Sequence, residues 1–440
     1  MRNIFVLFLV FVLPTGLFAQ SQTLSLEEAV LQQRGWLAPQ QIPGLQWISG
    51  THEISYLSED RKTIIREPLE GRKAPQQIGL EAVNRALGLE MERFPRFQWL
   101  SQKGFYFVHK KIYYDYDLNT QTGKKRMERP RFSANLDYHA ATNQLAYTLE
   151  NNVYVRKSDG SDQAITNDKD PNIVSGQAIA RYEFGIGKGT FWSPEATYLA
   201  FYQKDETNVG TYTLLDVTVT PAANRDIKYP MAGQGSESAK IGVYDIENNQ
   251  LVYLDVSGPK DQYLTNLAWG PNEQYLYVAV VNREQNHLWL NQYEAKTGAF
   301  VKTLFEETHD KYVEPENPVW FLPTSADQFL WMSERDGYMH VYHYDTNGQL
   351  LGQKTSGQWV VEEILGFSNS GKNLIVVGTD ESGLNRYAYA VNFKNGKTKK
   401  LSKRTGIHRY SMTDDGVFPR VLMTLVTEGS FILENRSSRK

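Results

Sequence analysis

The chain has 440 residues, with 47 basic and 50 acidic side chains, no cysteine and 41% hydrophobic residues. A net charge of −3 excludes a strongly electropositive nucleic-acid binder, because no basic excess exists to neutralise a phosphate backbone. The missing cysteine excludes disulfides, thiolate metal sites and cysteine nucleophiles, and the 26 Tyr, 20 Phe and 9 Trp favour pleated, half-buried surfaces.

The first segment in chain order reads as an address. Arg2 supplies a positive start, Ile4 to Leu13 an apolar run, and Leu17-Phe18-Ala19 a cleavage site ending in a small residue. Residues 1–19 are therefore expected to be a signal peptide, and the mature protein periplasmic or secreted. That run is too short to span a bilayer, and no later run reaches about 18 apolar residues. A helical lead-in over 20–44 follows. Ser25-Leu26-Glu27-Glu28 has the capping-box pattern, and Leu26, Ala29, Val30 and Leu31 give a weak apolar stripe before Pro39. A second helical stretch is expected from Ile78 to Leu87, stopped by Gly88.

From residue 45 onwards a unit repeats: an aromatic or apolar opening, a polar turn, then a strand-like run. Leu45-Gln46-Trp47 leads to Ile54-Ser55-Tyr56-Leu57, and Phe97-Gln98-Trp99-Leu100 to Phe105-Tyr106-Phe107-Val108. Leu136-Asp137-Tyr138, Thr190-Phe191-Trp192, Leu267-Ala268-Trp269, Val319-Trp320-Phe321 and Ile364-Leu365-Gly366-Phe367 open further units, and Tyr410-Ser411-Met412 an eighth without continuation. Starts about 40–55 residues apart match four-stranded blades. The expected fold is all-β, an eight-bladed β-propeller over 45–416 with an incomplete last blade. A longer insertion is expected between Trp192 and Trp269, and Trp47, Trp99, Trp192, Trp269 and Trp320 are expected in the core.

Self-sufficient catalysis has no footing in the motifs. There is no G-x-S-x-G nucleophile elbow, HExxH, Walker A loop or EF-hand loop. His340 and His343 lie three apart in a strand and so point to opposite faces; they read as solvated or half-packed residues, not metal ligands. Lys397-Thr398-Lys399-Lys400, with Lys403 and Arg404, reads as a solvated hairpin end. Gly185, Gly187 and Gly189 fit no phosphate-binding pattern and are expected to let a loop turn back into its blade.

The most informative stretch runs from Gln177 through Arg181-Tyr182-Glu183-Phe184-Gly185 to Trp192-Ser193-Pro194 and Lys204-Asp205-Glu206. Tyr229-Pro230-Met231-Ala232-Gly233, Leu264-Thr265-Asn266-Leu267, Val281-Asn282-Arg283-Glu284, Lys311-Tyr312-Val313-Glu314-Pro315, Arg335-Asp336-Gly337 and Gly357-Gln358-Trp359 follow in order. Over roughly residues 25–416 this resembles the N-terminal propeller of the dipeptidyl peptidase IV and prolyl tripeptidyl peptidase family, in the prolyl oligopeptidase class of serine peptidases.

The resemblance implies a propeller that gates substrate for a C-terminal α/β-hydrolase domain carrying Ser, Asp and His. It implies no catalytic residue, metal or cofactor in the propeller itself. Glu183 matches the family's glutamate that binds the free N-terminal ammonium of a peptide. Such a carboxylate, at a fixed distance from a scissile bond, favours chains that end there. The plain alternative is an exposed loop carboxylate, or one paired with Arg181. The dipeptidyl branch has two adjacent glutamates where this chain has Tyr182-Glu183-Phe184, so the peptide length measured off stays open. The family's substrate-contacting propeller arginine has no matching residue here.

The implied partners are peptides with a free N-terminus and an α/β-hydrolase domain, with a homodimer as the family's frequent assembly and no nucleic acid. The resemblance stops after Gly416, and 417–440 reads as an atypical tail. The sequence is therefore read as truncated before the hydrolase domain, with no activity expected alone. A non-catalytic peptide-binding propeller, alone or docked to a separately encoded hydrolase, is the alternative.

Overall fold

Among the described residues the repeat resolves into seven antiparallel blade sheets, six of four successive strands and the fourth of five, each strand paired with its neighbour in the chain except in that fourth sheet. In a computed structural model the structure describes residues 23–412 and 422–425, apart from 34, 36–41, 70–72, 369 and 403–404. The expected signal peptide, Pro39, Lys403, Arg404, residues 413–421 and the tail after Leu425 lie outside the described residues.

The sheets open at Gln46–Trp47, Phe97–Ser101, Ala134–His139, Ile173–Ser175, Tyr263–Trp269, Trp320–Leu322 and Val361–Phe367. The fourth is elaborated by an exposed hairpin, Thr211–Asp216 on Ala223–Lys228, which is the expected long insertion. The fold is thus a seven-bladed propeller, not the eight-bladed one expected from eight starts. The eighth start, at Tyr410-Ser411, lies in the strand His408–Ser411, which among the described residues pairs with Leu422–Leu425 as a two-stranded ribbon. An opening motif specifies one strand, whereas a blade needs three more in register.

Helix α1 (Leu26–Leu31) begins with both halves of its capping box: the Ser25 Oγ accepts from the Glu28 N–H, and the Glu28 carboxylate from the Ser25 N–H. Helix α2 (Leu80–Leu87) starts two residues later than the sequence suggests. Ile78 instead belongs to the fourth strand of the first blade, opposite Ile64.

Apolar residues alternate along each strand, and the buried ones meet between neighbouring sheets. Phe94, Phe97 and Phe105 pack the first junction with Leu80 and Val83 of α2. Ala200, Ile241 and Val243 of the fourth blade meet Leu276 and Val278 of the fifth. Tyr277, Phe329, Trp331 and Tyr344 fill the junction of the fifth and sixth.

The recurrent tryptophans are half-buried, a correction to their expected place in the core. Their indole N–H groups explain why, since four of the five reach an acceptor outside their own sheet. Trp99 donates to the Ser55 Oγ at 2.7 Å, Trp192 to the Asp137 carbonyl and Trp269 to the Phe191 carbonyl, each at 3.0 Å. Trp47 donates to the Ser411 Oγ at 3.0 Å, joining the first blade to the final ribbon. The basic run is the exposed outer strand Thr398–Lys400 of the seventh blade, with the Lys400 ammonium 3.6 Å from the Tyr387 ring centre. Lysines on such an edge discourage pairing with other chains.

His340 and His343 are buried, not solvated or half-packed. Burial, aided by the Lys354 charge, lowers the His343 pKa to about 4 from an ordinary 6.5. Its neutral form is favoured by folding, so the contribution is complete above about pH 6.5 and is lost as the pH falls through about 4. The shift corresponds to roughly 3 kcal/mol. Urea titrations between pH 7 and 4 should show that loss, and His343→Gln should show a flatter pH dependence. Equal slopes in the two proteins would remove His343 as its source.

Candidate functional site

The first strand of the fourth blade is broken in two. Ile173–Ser175 and Thr190–Trp192 both pair with Tyr198–Asp205, and residues 176–189 leave the sheet between them. Tyr202 clasps both ends of this excursion. Its carbonyl accepts from the Gly176 N–H at 2.8 Å, and its N–H donates to the Gly189 carbonyl at 3.0 Å. A Cβ on Gly189 would lie 2.3 Å from the Gln177 backbone, so the two legs close only over glycine.

At its tip the loop coils the wrong way for L-residues. Ala180, Arg181, Tyr182 and Phe184 have φ of 50, 53, 68 and 55°, followed by Gly185 at 68°. Each non-glycine residue there costs about 1 kcal/mol or more, and such strain collects where a side chain must be held for a purpose. The compensation is visible. Ile179, Phe184 and Ile186 are buried in the core between the fourth and fifth blades. The Asn266 amide donates to the Phe184 carbonyl at 3.2 Å, and the Glu183 N–H to the Ala180 carbonyl at 2.9 Å. On the return leg, the Lys188 ammonium lies 2.9 Å from the Asp137 carboxylate of the third blade.

Glu183, between Tyr182 and the plug Phe184, is exposed. No cation pairs with its carboxylate among the described residues. The expected alternative partner, Arg181, instead lies over the Tyr229 ring with its guanidinium carbon 4.9 Å from the ring centre. The surroundings are acidic. Glu314 is held above the ordinary carboxylate range by loss of solvent and then by the charges of Glu316, Glu183 and Glu334. A free carboxylate among like charges attracts a cation.

Beside these acids is a cleft of about 410 Å³, lined by Tyr312, Glu314, Trp331, Glu334 and Arg335 among others. Arg335 is committed to its wall. It pairs with Glu307, donates to the Tyr344 hydroxyl at 2.5 Å, and lies over Tyr342 at 4.2 Å. The Glu307 carboxylate also accepts from the Trp331 indole and the Ser333 hydroxyl, each at 2.7 Å. Among the described residues no group of three or more His, Asp or Glu is arranged to hold a metal ion.

Several sequence stretches that resembled one family therefore meet around Glu183: Tyr229 beneath Arg181, Asn266 beneath Phe184, and Glu314 with Glu316 alongside. Sequence reasoning singled out those stretches but gave their residues no role. It missed Glu237, whose carboxylate accepts from the Ala180 N–H at 2.6 Å; a lone glutamate in a polar loop gives no signal.

Comparison with known proteins gives the family. The family description "Dipeptidyl peptidase IV (DPP IV) N-terminal region" matches residues 101–422, starting later than the expected span of about 25–416 and ending a few residues beyond it. The probable dipeptidyl-aminopeptidase B of Phaeosphaeria nodorum is 27% identical over 343 residues, covering 69% of this chain and 37% of that protein. Dipeptidyl aminopeptidase B of Saccharomyces cerevisiae is 27% identical over 276 residues, covering 58% and 33%. Among solved structures, a candidate dipeptidyl aminopeptidase IV from Bacteroides ovatus aligns with a TM-score of 0.77 at 32% identity, covering 89% of this chain and 59% of its own. Porphyromonas gingivalis dipeptidyl peptidase 4 shares the fold, with a TM-score of 0.75 at 20% identity, covering 94% and 62%. The chain spans about a third of the curated relatives it matches.

Proposed function

The chain belongs to the family defined by the dipeptidyl peptidase IV N-terminal region, and on that premise we propose that it is the substrate-gating propeller of a post-proline serine exopeptidase. Glu183 receives the free N-terminal ammonium of the peptide. The observation that carries this reading is a cation-free carboxylate on a strained, well-anchored loop amid other acids. Bond cleavage is assigned to an α/β-hydrolase domain, since the 440 residues contain no G-x-S-x-G pentapeptide. An exported location is part of the proposal and rests on the leader read from residues 1–19.

The test compares binding of the peptide Ala-Pro-Ala-Tyr-amide with its N-acetylated form by calorimetry. A charge-assisted hydrogen bond contributes roughly 1.5–3 kcal/mol, so the free form should bind tighter by about one to two decades. Glu183→Gln should bring the two affinities within about threefold by removing that charge. Equal binding of both peptides by the wild-type chain would overturn the reading.

A second reading, a propeller that holds peptide N-termini without cutting them, is favoured by the Trp47–Ser411 bond across the seam of the ring. It keeps Glu183 in the same role. Addition of a hydrolase chain from a relative separates the two, since only a gating propeller would alter the length of the released peptide.

A further inference from the structure

Behind the strained loop is a buried ionic triad that joins Lys204 and Glu206, at the end of the stretch carrying the family resemblance, to Glu237, which lies outside every such stretch. The Lys204 ammonium lies 2.8 Å from one oxygen of Glu206 and 3.4 Å from the Glu237 Oε2. All three side chains are nearly closed off from solvent, with Lys204, Glu206 and Glu237 at 10, 12 and 11% exposure. The other Glu237 oxygen, Oε1, accepts from the Ala180 N–H at 2.6 Å. Ala180 is the first of the left-handed residues that lead to Glu183.

We infer that Glu237 is a positioning residue for the N-terminus site: it fixes the turn that aims Glu183, and Lys204 fixes Glu237. The inference rests on the proposed role of Glu183. In the turned loop the Ala180 N–H faces no strand or helix carbonyl, and a carboxylate is the strongest acceptor a side chain can offer it. Both oxygens of Glu237 are engaged, one by the loop and one by Lys204. Lys204 lies in the strand Tyr198–Asp205 that carries both halves of the broken first strand, so the loop is referenced to the blade. Glu206 keeps Lys204 balanced from the other side, and its own N–H donates to the Asn172 carbonyl at 2.9 Å. The chain of contacts therefore runs from the sheet through Lys204 and Glu237 to Ala180, three residues before Glu183.

The experiment uses the full chain and the same two peptides, Ala-Pro-Ala-Tyr-amide and its N-acetylated form. Glu237→Asp keeps the charge beside Lys204 but withdraws the carboxylate from Ala180, and Glu237→Gln keeps an acceptor of full length. The aspartate variant should lose about tenfold of the preference for the free N-terminus, with the affinity for the acetylated peptide unchanged. The glutamine variant should lose less than the aspartate one, about threefold, because its single amide oxygen can still meet the Ala180 N–H but then leaves an NH2 against Lys204.

Amide hydrogen exchange at Ala180 is read in parallel, without ligand. It should quicken by about tenfold or more in Glu237→Asp and by less in Glu237→Gln. Unchanged Ala180 exchange, or an unchanged preference in the aspartate variant while Glu183→Gln abolishes it, would overturn the positioning role alone. An equal loss for both peptides would mean general support of the fold, and would also overturn it. Absence of any preference in the wild-type chain would instead remove the Glu183 reading, and this inference with it.

Discussion

Trp331→Ala should lower the stability of the chain by about 3–5 kcal/mol, the largest single effect expected here. Trp331 is 1% exposed and among the largest fully buried side chains. It lies between the fifth and sixth blades with Phe329, Tyr342 and Tyr344, and meets the Phe305 ring edge-on at 5.7 Å. Truncation to alanine leaves a cavity that sheets already fixed by their ladders cannot collapse to fill. It also removes the 2.7 Å bond from the indole N–H to Glu307, the carboxylate that holds Arg335 in the cleft wall. Trp331→Phe separates the two terms. It keeps most of the ring, loses the N–H, and should cost about 2 kcal/mol. Urea midpoints of the three proteins check the order. An alanine variant within about 1 kcal/mol of wild type would mean that the junction repacks freely.

Gly185→Ala should abolish the preference for a free peptide N-terminus while leaving the blades folded. Gly185 has φ of 68°, and a Cβ there would lie 2.1 Å from the Glu316 carbonyl oxygen. That atom is backbone, so no side-chain rotation relieves the clash. The loop must lift, which draws Phe184 from its contact with Tyr263, a ring separation of 5.1 Å, and turns Glu183 out of the acidic surface. The expected loss is tenfold or more in discrimination between free and acetylated peptide, with a melting temperature within about 3 °C of wild type. A variant that discriminates like wild type would show that the close packing of Gly185 on Glu316 is not needed to hold Glu183.

Seven of the eight expected starts fall in blades, because each is a local pattern of an aromatic, a polar turn and a resumed apolar run. The number of blades was not legible. Tyr410 opens like the others, but a blade is decided by what the following residues pair with. The tryptophans were found in the right places with the wrong burial, since periodicity marks a residue that faces a neighbour without showing that its N–H must reach a distant acceptor. His340 and His343 erred the other way. His340 is satisfied in the interior, 3.0 Å from both the Thr355 hydroxyl and the Gly357 carbonyl, which composition cannot show.

Glu183 was legible through its sequence neighbours, which belong to the same loop. Glu314 and Glu316 come to it only because the ring brings distant stretches to one place. Glu237 was illegible, because its importance lies in one backbone N–H and one buried lysine rather than in its own surroundings in the chain.

The Trp47–Ser411 bond spans 364 residues of sequence with one side-chain contact. Each consecutive pair of blades is also joined by continuous chain, whereas the first blade and the last ribbon meet only through space. The ring is in this sense a bracelet with a clasp, of which that bond is one part among the described residues. A clasp without chain continuity can open while every blade keeps its own ladder of strands. Past that point the ring becomes an open stack in which each sheet touches only its neighbours, and sheets can peel away from either end in turn. The seam is therefore the junction whose opening needs no blade to come apart, whereas the aromatic cores join sheets that the chain also ties together.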